Sequence, residues 1–154
     1  MKYFIACVII LLFSCDRSDK PSPVIEVERS DKELERIADN ARRALPVFFR
    51  NLARPEAGAN NFYVKYPVTS DDSVTEQVWL GSIRSRKGLY YGNIANTAKS
   101  RGKKRVTIDI EQITDWMYIQ DGKIIGGRSI KYLLEKIPEP QRSEDQQKIL
   151  KMFE

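Results

Sequence analysis

Hydrophobic positions divide the chain into a helical stretch, a long run of alternating strands and a helical end. Leu34, Ile37, Ala38, Ala41, Leu45, Phe48, Phe49 and Leu52 recur at the spacing of one helix face. Ser30-Asp31-Lys32-Glu33, of the S-x-x-E type, predicts a capping box before that stripe. Pro46 lies inside it and has no N–H for the carbonyl of Arg42, so a kink is expected, or a break with Pro46 opening a second helix. The period then falls to two. Strands are predicted over Phe62–Tyr66, Val74–Ser85, Leu89–Ala95 and the alternation Val106, Ile108, Ile110.

The strongest local signal is Ile113–Ile130, ITDWMYIQDGKIIGGRSI. Asp121-Gly122 between two apolar runs predicts a two-residue type I′ hairpin, because that turn needs φ > 0 at both centres. Pairing around it sets Gln120 opposite Lys123, Ile119 opposite Ile124, Tyr118 opposite Ile125, Met117 opposite Gly126 and Trp116 opposite Gly127. The Trp116 indole would then cover bare glycine backbone. Ser129 is placed to cap a helix carrying Ile130, Leu133, Leu134 and Ile137. After Pro138-Glu139-Pro140, Ser143 and Gln146 predict a second capping box ahead of a short helix with Ile149, Leu150 and Phe153. The expected fold class is α+β: an antiparallel β-sheet meander with an N-terminal kinked helix and a C-terminal helix packed on it.

The first residues belong to targeting. Lys2 precedes an apolar run, Tyr3–Phe13, too short for the ~20 residues of a spanning helix but suited to a secretory signal. The run ends Leu12-Phe13-Ser14-Cys15, which resembles a bacterial lipobox. In that class the cysteine thiol is diacylated after cleavage before it, and two or more acyl chains anchor stably where one does not. The expected organisation is a lipoprotein signal peptide over 1–14, a tether over 15–29 containing Pro21 and Pro23, and a single α+β domain over 30–154. Asp16, next to the lipidated position, resembles the inner-membrane retention signal of enterobacteria-like systems, a rule other phyla do not follow.

This processing changes the chemistry left to the domain. Cys7 departs with the signal and Cys15 is the lipid site, so the mature chain has no thiol for catalysis or a disulfide. There is no histidine. Ser-His and Cys-His nucleophile pairs, imidazole acid–base work and His or Cys zinc sites drop out. No cofactor or metal is expected. The formal charge of +5 becomes +4 once Lys2 is removed, with both signs mixed. Export argues against a nucleic-acid partner.

Three groups remain as candidates. Asp109 and Glu111 fall on one face of a predicted strand with Asp115 just beyond, a trio that could hold Ca²⁺ or act as acid and base; alternating acids on an open strand face more often serve solvation. Ser-Lys catalysis finds no support: Ser82–Ser85 lacks the lysine, and Ser100 with Lys103 sits in a turn-like loop. The basic run Lys99–Arg105, containing Lys103, Lys104 and Arg105, lies beside Arg84, Arg86 and Lys87 and suits lipid headgroups, lipopolysaccharide or an acidic protein face. Trp79, Tyr90, Tyr91, Trp116 and Tyr118 could line a surface for peptide or glycan, although strand aromatics more often build core.

Ala41-Arg42…Leu45-Pro46-x-Phe48, Phe62-x-Val64-Lys65, Glu76-x-x-Trp79-Leu80, Gly92-x-Ile94-x-Asn96 and Ile113-x-Asp115-Trp116-Met117-Tyr118-x-x-x-Gly122-x-x-x-Gly126-Gly127 occur in that order. This order resembles the YegJ-like family, a bacterial domain of unknown function, over roughly residues 34–137. Lys103 stands where that family's pattern has an acid, so no role of an acid carries over there. The resemblance implies a shared fold and often a lipoprotein signal, and no activity. More distantly, the Trp-bearing hairpin is similar to some immunity-protein families of bacterial toxin systems.

The expected protein is therefore lipid-anchored at the cell membrane, facing periplasm or exterior, and acts as a non-catalytic binding module. Its partners would be the bilayer, through acylated Cys15, and an envelope protein or anionic polymer. The alternatives are an immunity-like protein against a secreted toxin and a carboxylate-dependent envelope hydrolase using Asp109, Glu111 or Asp115.

Overall fold

A computed structural model describes residues 6–7, 25–26, 31–69, 75–95 and 105–153. Helix α1, Lys32–Ala53, leads into six strands: β1 Ala59–Thr69, β2 Thr75–Arg86, β3 Leu89–Ile94, β4 Arg105–Ile108, β5 Asp115–Gln120 and β6 Lys123–Gly126. Helices α2, Arg128–Lys136, and α3, Glu144–Lys151, complete the α+β fold. All neighbouring strands are antiparallel, in the spatial order β4-β3-β2-β1-β5-β6. The meander expected from sequence therefore covers only β1 to β4. The chain then crosses back through 109–114, where Ile110–Gln112 make one 3₁₀ turn, so that β5 pairs with the far side of β1. Ala6–Cys7 pairs with Ile25–Glu26 in a separate two-stranded ladder.

Helix α1 lies on one face of the sheet. Its Ala41, Leu45 and Phe48 meet Val64, Tyr66, Leu80, Ile108, Ile113, Trp116 and Tyr118, all under a tenth exposed. Phe49 stacks on Tyr90 with ring centroids 4.3 Å apart, and Trp116 Nε1 donates to the Ala41 carbonyl at 3.0 Å. Pro46 does not break the helix, which runs on through it. Leu45 and Phe48 on either side are buried, so sheet packing holds the turn that lost its hydrogen bond. The start also differs from expectation. Asp31 is the N-cap, its carboxylate accepting from the N–H groups of Glu33 and Leu34, while Ser30 lies outside the described residues.

The Ala6–Cys7 strand lies close to β2, and among the described residues the helices cover the opposite face only over part of its width. There Trp79, Met117, Ile119 and Ile124 pack with Tyr63, Ile130, Ile149, Met152 and Phe153. Helix α3 forms with the expected Ser143–Gln146 capping box, and Ile124 N–H donates to the Met152 carbonyl at 2.7 Å. That bond ties the end of α3 to edge strand β6. Two adjacent strands carry bulges on their way across: β1 between Asn60 and Tyr63, and β2 between Gly81 and Arg84. Asn61 and Ser82, inside these bulges, have φ of 54° and 51°, the left-handed region.

The β5–β6 hairpin has the expected turn, with φ of 51° at Asp121 and 79° at Gly122, and the expected register from Gln120–Lys123 to Met117–Gly126. Trp116, however, covers Gly126 instead of Gly127. A Cβ on Gly126 would stand 2.7 Å from Trp116 Cε3, whereas Gly127 faces Phe153. Gly127 is itself the N-cap of α2, at φ 61°, and Ser129 is not.

Candidate functional site

The three sequence candidates end in different places. Asp109 caps the 3₁₀ turn, accepting from Glu111 N–H and from Gln112 Nε2. Glu111 is exposed. Asp115 is turned the other way and is 1% exposed. The trio therefore does not converge, and among the described residues no group of three His, Cys, Asp or Glu is arranged to hold a metal ion. The strand expected to carry Asp109 and Glu111 on one face stops at Ile108.

Asp115 belongs to a buried polar tie that the sequence did not reveal. Its carboxyl accepts from Trp116 N–H at 2.8 Å and from Ser129 N–H at 2.7 Å. Lys65, 6% exposed, donates from Nζ to Ser129 Oγ at 3.3 Å. Burial pushes the Asp115 carboxyl above the usual range, against the pull of the Ser129 and Trp116 donors and of Lys65. The three residues come from β1, β5 and the first turn of α2, and no local spacing could have joined them. Neither of the two cavities below is lined by any of them, so the tie holds α2 to the sheet.

The aromatic candidates Trp79, Trp116 and Tyr118 are buried, at 7%, 8% and 5% exposed. Trp116 and Tyr118 sit under α1, where Asn51 Nδ2 donates to the Tyr118 hydroxyl, and Trp79 lies under the opposite layer. Tyr91 is half-buried and stays on the uncovered part of the sheet.

That uncovered part is where basic residues meet. Arg84 pairs across strands with Tyr91, Arg86 with Leu89, and Asn93 with Arg105. Side chains alternate along each strand, so all six share the face turned away from α1. Arg84, Ser85, Arg86, Tyr91, Asn93 and Arg105, with Ser82, line a cavity of about 600 Å³, and none of its described wall residues is acidic. All three guanidinium-bearing residues are exposed, and none forms an ion pair among the described residues. Arginine presents a planar fork of donors that matches carboxylate and phosphate oxygens. Of the basic run, Arg105 stands in this wall, whereas Lys103 and Lys104 lie outside the described residues, as does Cys15. A smaller cavity of about 280 Å³ adjoins it, lined by Leu52, Asn61, Phe62, Tyr63, Ser82, Ile83 and Arg84.

Residues 31–150 match the family model described as "Uncharacterized protein conserved in bacteria (DUF2314)". The chain belongs to this family. It is 28% identical to "Uncharacterized protein YegJ" of Escherichia coli K12, over 98% of this chain and 100% of that protein. It is also 29% identical to a Neisseria meningitidis serogroup B protein named "Putative ankyrin repeat protein", over 80% of this chain and 53% of that one. No solved structure matches the chain. The matched span of this chain includes its hairpin and the Lys65, Asp115 and Ser129 tie, and the family's description names no reaction. Among the described residues no helix is long and apolar enough to cross a membrane.

Proposed function

We propose that this family member is a lipid-anchored cell-envelope protein that works by binding and not by catalysis, and that its ligand presents an anionic group to Arg84, Arg86 and Arg105. One observation carries the reading: β2 and β4 deliver three arginines to one cavity, and among the described residues of its wall there is no carboxylate to neutralise them. Tyr91, Asn93 and Ser82 supply uncharged donors beside them. An acylated Cys15 would hold the domain close to an anionic surface, where each basic group contributes about 1 kcal/mol. Such a ligand is an anionic envelope polymer or the acidic face of an envelope protein.

The test is a calorimetric titration of the purified full chain with polyphosphate at rising salt. Binding should weaken steeply with salt and fall at least tenfold in the Arg84→Gln/Arg86→Gln/Arg105→Gln variant. Affinity indifferent to both salt and the triple substitution would overturn the proposal.

A further inference from the structure

The two cavities share Ser82 and Arg84 in their walls, so they are two lobes of one trough bent around the β2 bulge. The lobes differ in chemistry. The larger, on the face turned away from α1, is cationic; the smaller is lined by Leu52 of α1 and by Phe62 and Ile83, which pack on the α1 side, together with Tyr63 from the opposite side. Arg84 is the one charged residue lining both. We infer that the trough takes a ligand joining an anionic group to a compact apolar group: the anion among Arg84, Arg86 and Arg105, the apolar part against Leu52 and Phe62. This deepens the anion-binding proposal and rests on it.

Backbone geometry at the junction supports a built site. Asn61 and Ser82 both hold left-handed φ, and both line the smaller lobe. For serine that conformation is unfavourable by about 1–2 kcal/mol, and such strain gathers where a structure positions a ligand-contacting surface. The second bulge has a visible cause in packing: a Cβ on Gly81 would stand 2.6 Å from Tyr63 Cε1, so the tyrosine ring lies directly on that glycine. The two bulges together swing Ser82 and Arg84 to the corner where the lobes meet.

The experiment compares inorganic phosphate, phenyl phosphate and phenol as probes of the purified full chain, with affinities from amide shift titrations. Phenyl phosphate should bind at least tenfold tighter than inorganic phosphate, and phenol should bind more weakly than either. Arg84→Gln should weaken both phosphates at least fivefold. Leu52→Asn should remove most of the phenyl gain while leaving inorganic phosphate within twofold. In the unaltered chain, phenyl phosphate should shift amides at 52, 61–63 and 82–84, whereas inorganic phosphate should shift those around 84–93 and 105 alone, so the test does not depend on the folding of a variant. Equal affinity for the two phosphates, or a phenyl gain untouched by Leu52→Asn, would overturn the two-lobe inference and leave the anion site standing. If neither phosphate binds, both proposals fall.

Discussion

Replacing Asp115 by alanine should be among the most damaging single changes in the domain. Its carboxyl is 1% exposed and accepts from two N–H groups, those of Trp116 and Ser129, at 2.8 and 2.7 Å. Alanine strands both donors, and each buried unsatisfied group costs about 1–3 kcal/mol. It also removes the carboxyl on which the charge of the buried Lys65 ammonium acts. The two stranded donors set a net expected change of about 2–6 kcal/mol, a large share of the ~5–15 kcal/mol that holds a typical domain. The assay is urea unfolding followed by circular dichroism and by tryptophan emission, since Trp116 and Trp79 report on opposite faces of the sheet. The urea midpoint should fall by that loss divided by the m-value. Asp115→Asn keeps one acceptor oxygen and should fall between wild type and alanine. Asp109→Ala, at the exposed 3₁₀ cap, should cost only about 1 kcal/mol. A loss below ~1 kcal/mol for Asp115→Ala, at an unchanged m-value, would refute the claim that this carboxyl clamps α2 to the sheet.

Gly126→Ala should destabilise by more than about 2 kcal/mol in the same assay, because a Cβ there meets the Trp116 carbonyl oxygen at 2.2 Å; Gly122→Ala, with nothing within 4 Å, should lose only the ~1 kcal/mol of its left-handed φ. Ser82→Gly should stabilise the fold by about 1 kcal/mol by relieving its positive φ, measured by the urea midpoint; no gain would mean the bulge is unstrained. The Lys136 ammonium, 2.6 Å away, holds the Asp31 carboxyl below its ordinary 3.8, so this contribution is present above pH 3.8 and is lost as pH falls through the lowered folded value. Asp31→Asn should therefore flatten the acid limb of a urea-midpoint profile, and an unchanged limb would contradict the tie. Cys15→Ser should abolish acylation and leave the leader uncleaved, read by mass spectrometry of the purified product; an unmodified thiol in the wild-type chain would remove the lipid anchor.

Much of the architecture was legible because its causes are local. The period change from 3.6 to 2, the Asp121-Gly122 turn and the Ser143–Gln146 box each depend on neighbours a few residues apart, and each stands in the structure where its residues predicted it. Local signals misled where tertiary contacts outweighed them. Ser129 has the chemistry of a cap, but Gly127 takes that position because the hairpin enters α2 through two left-handed glycines and Asp115 claims the Ser129 N–H. At Pro46 the sequence left a kink or a break open, and the break does not occur, because the buried side chains flanking it keep α1 whole.

The candidate site divides in the same way. By itself the sequence determined the helix and strand segments, the central hairpin and the family, because periodicity, turn chemistry and the Asp-Trp-Met-Tyr…Gly-Gly order are written in consecutive letters. It also showed Arg84 and Arg105 as members of two separate basic clusters. Only the tertiary structure decided that β5 leaves the meander, that Lys65, Asp115 and Ser129 meet, and that Arg105 shares one cavity wall with Arg84 and Arg86. The physical reason is that strand order and bulge positions set which side chains share a face, and both depend on contacts between residues far apart in the chain.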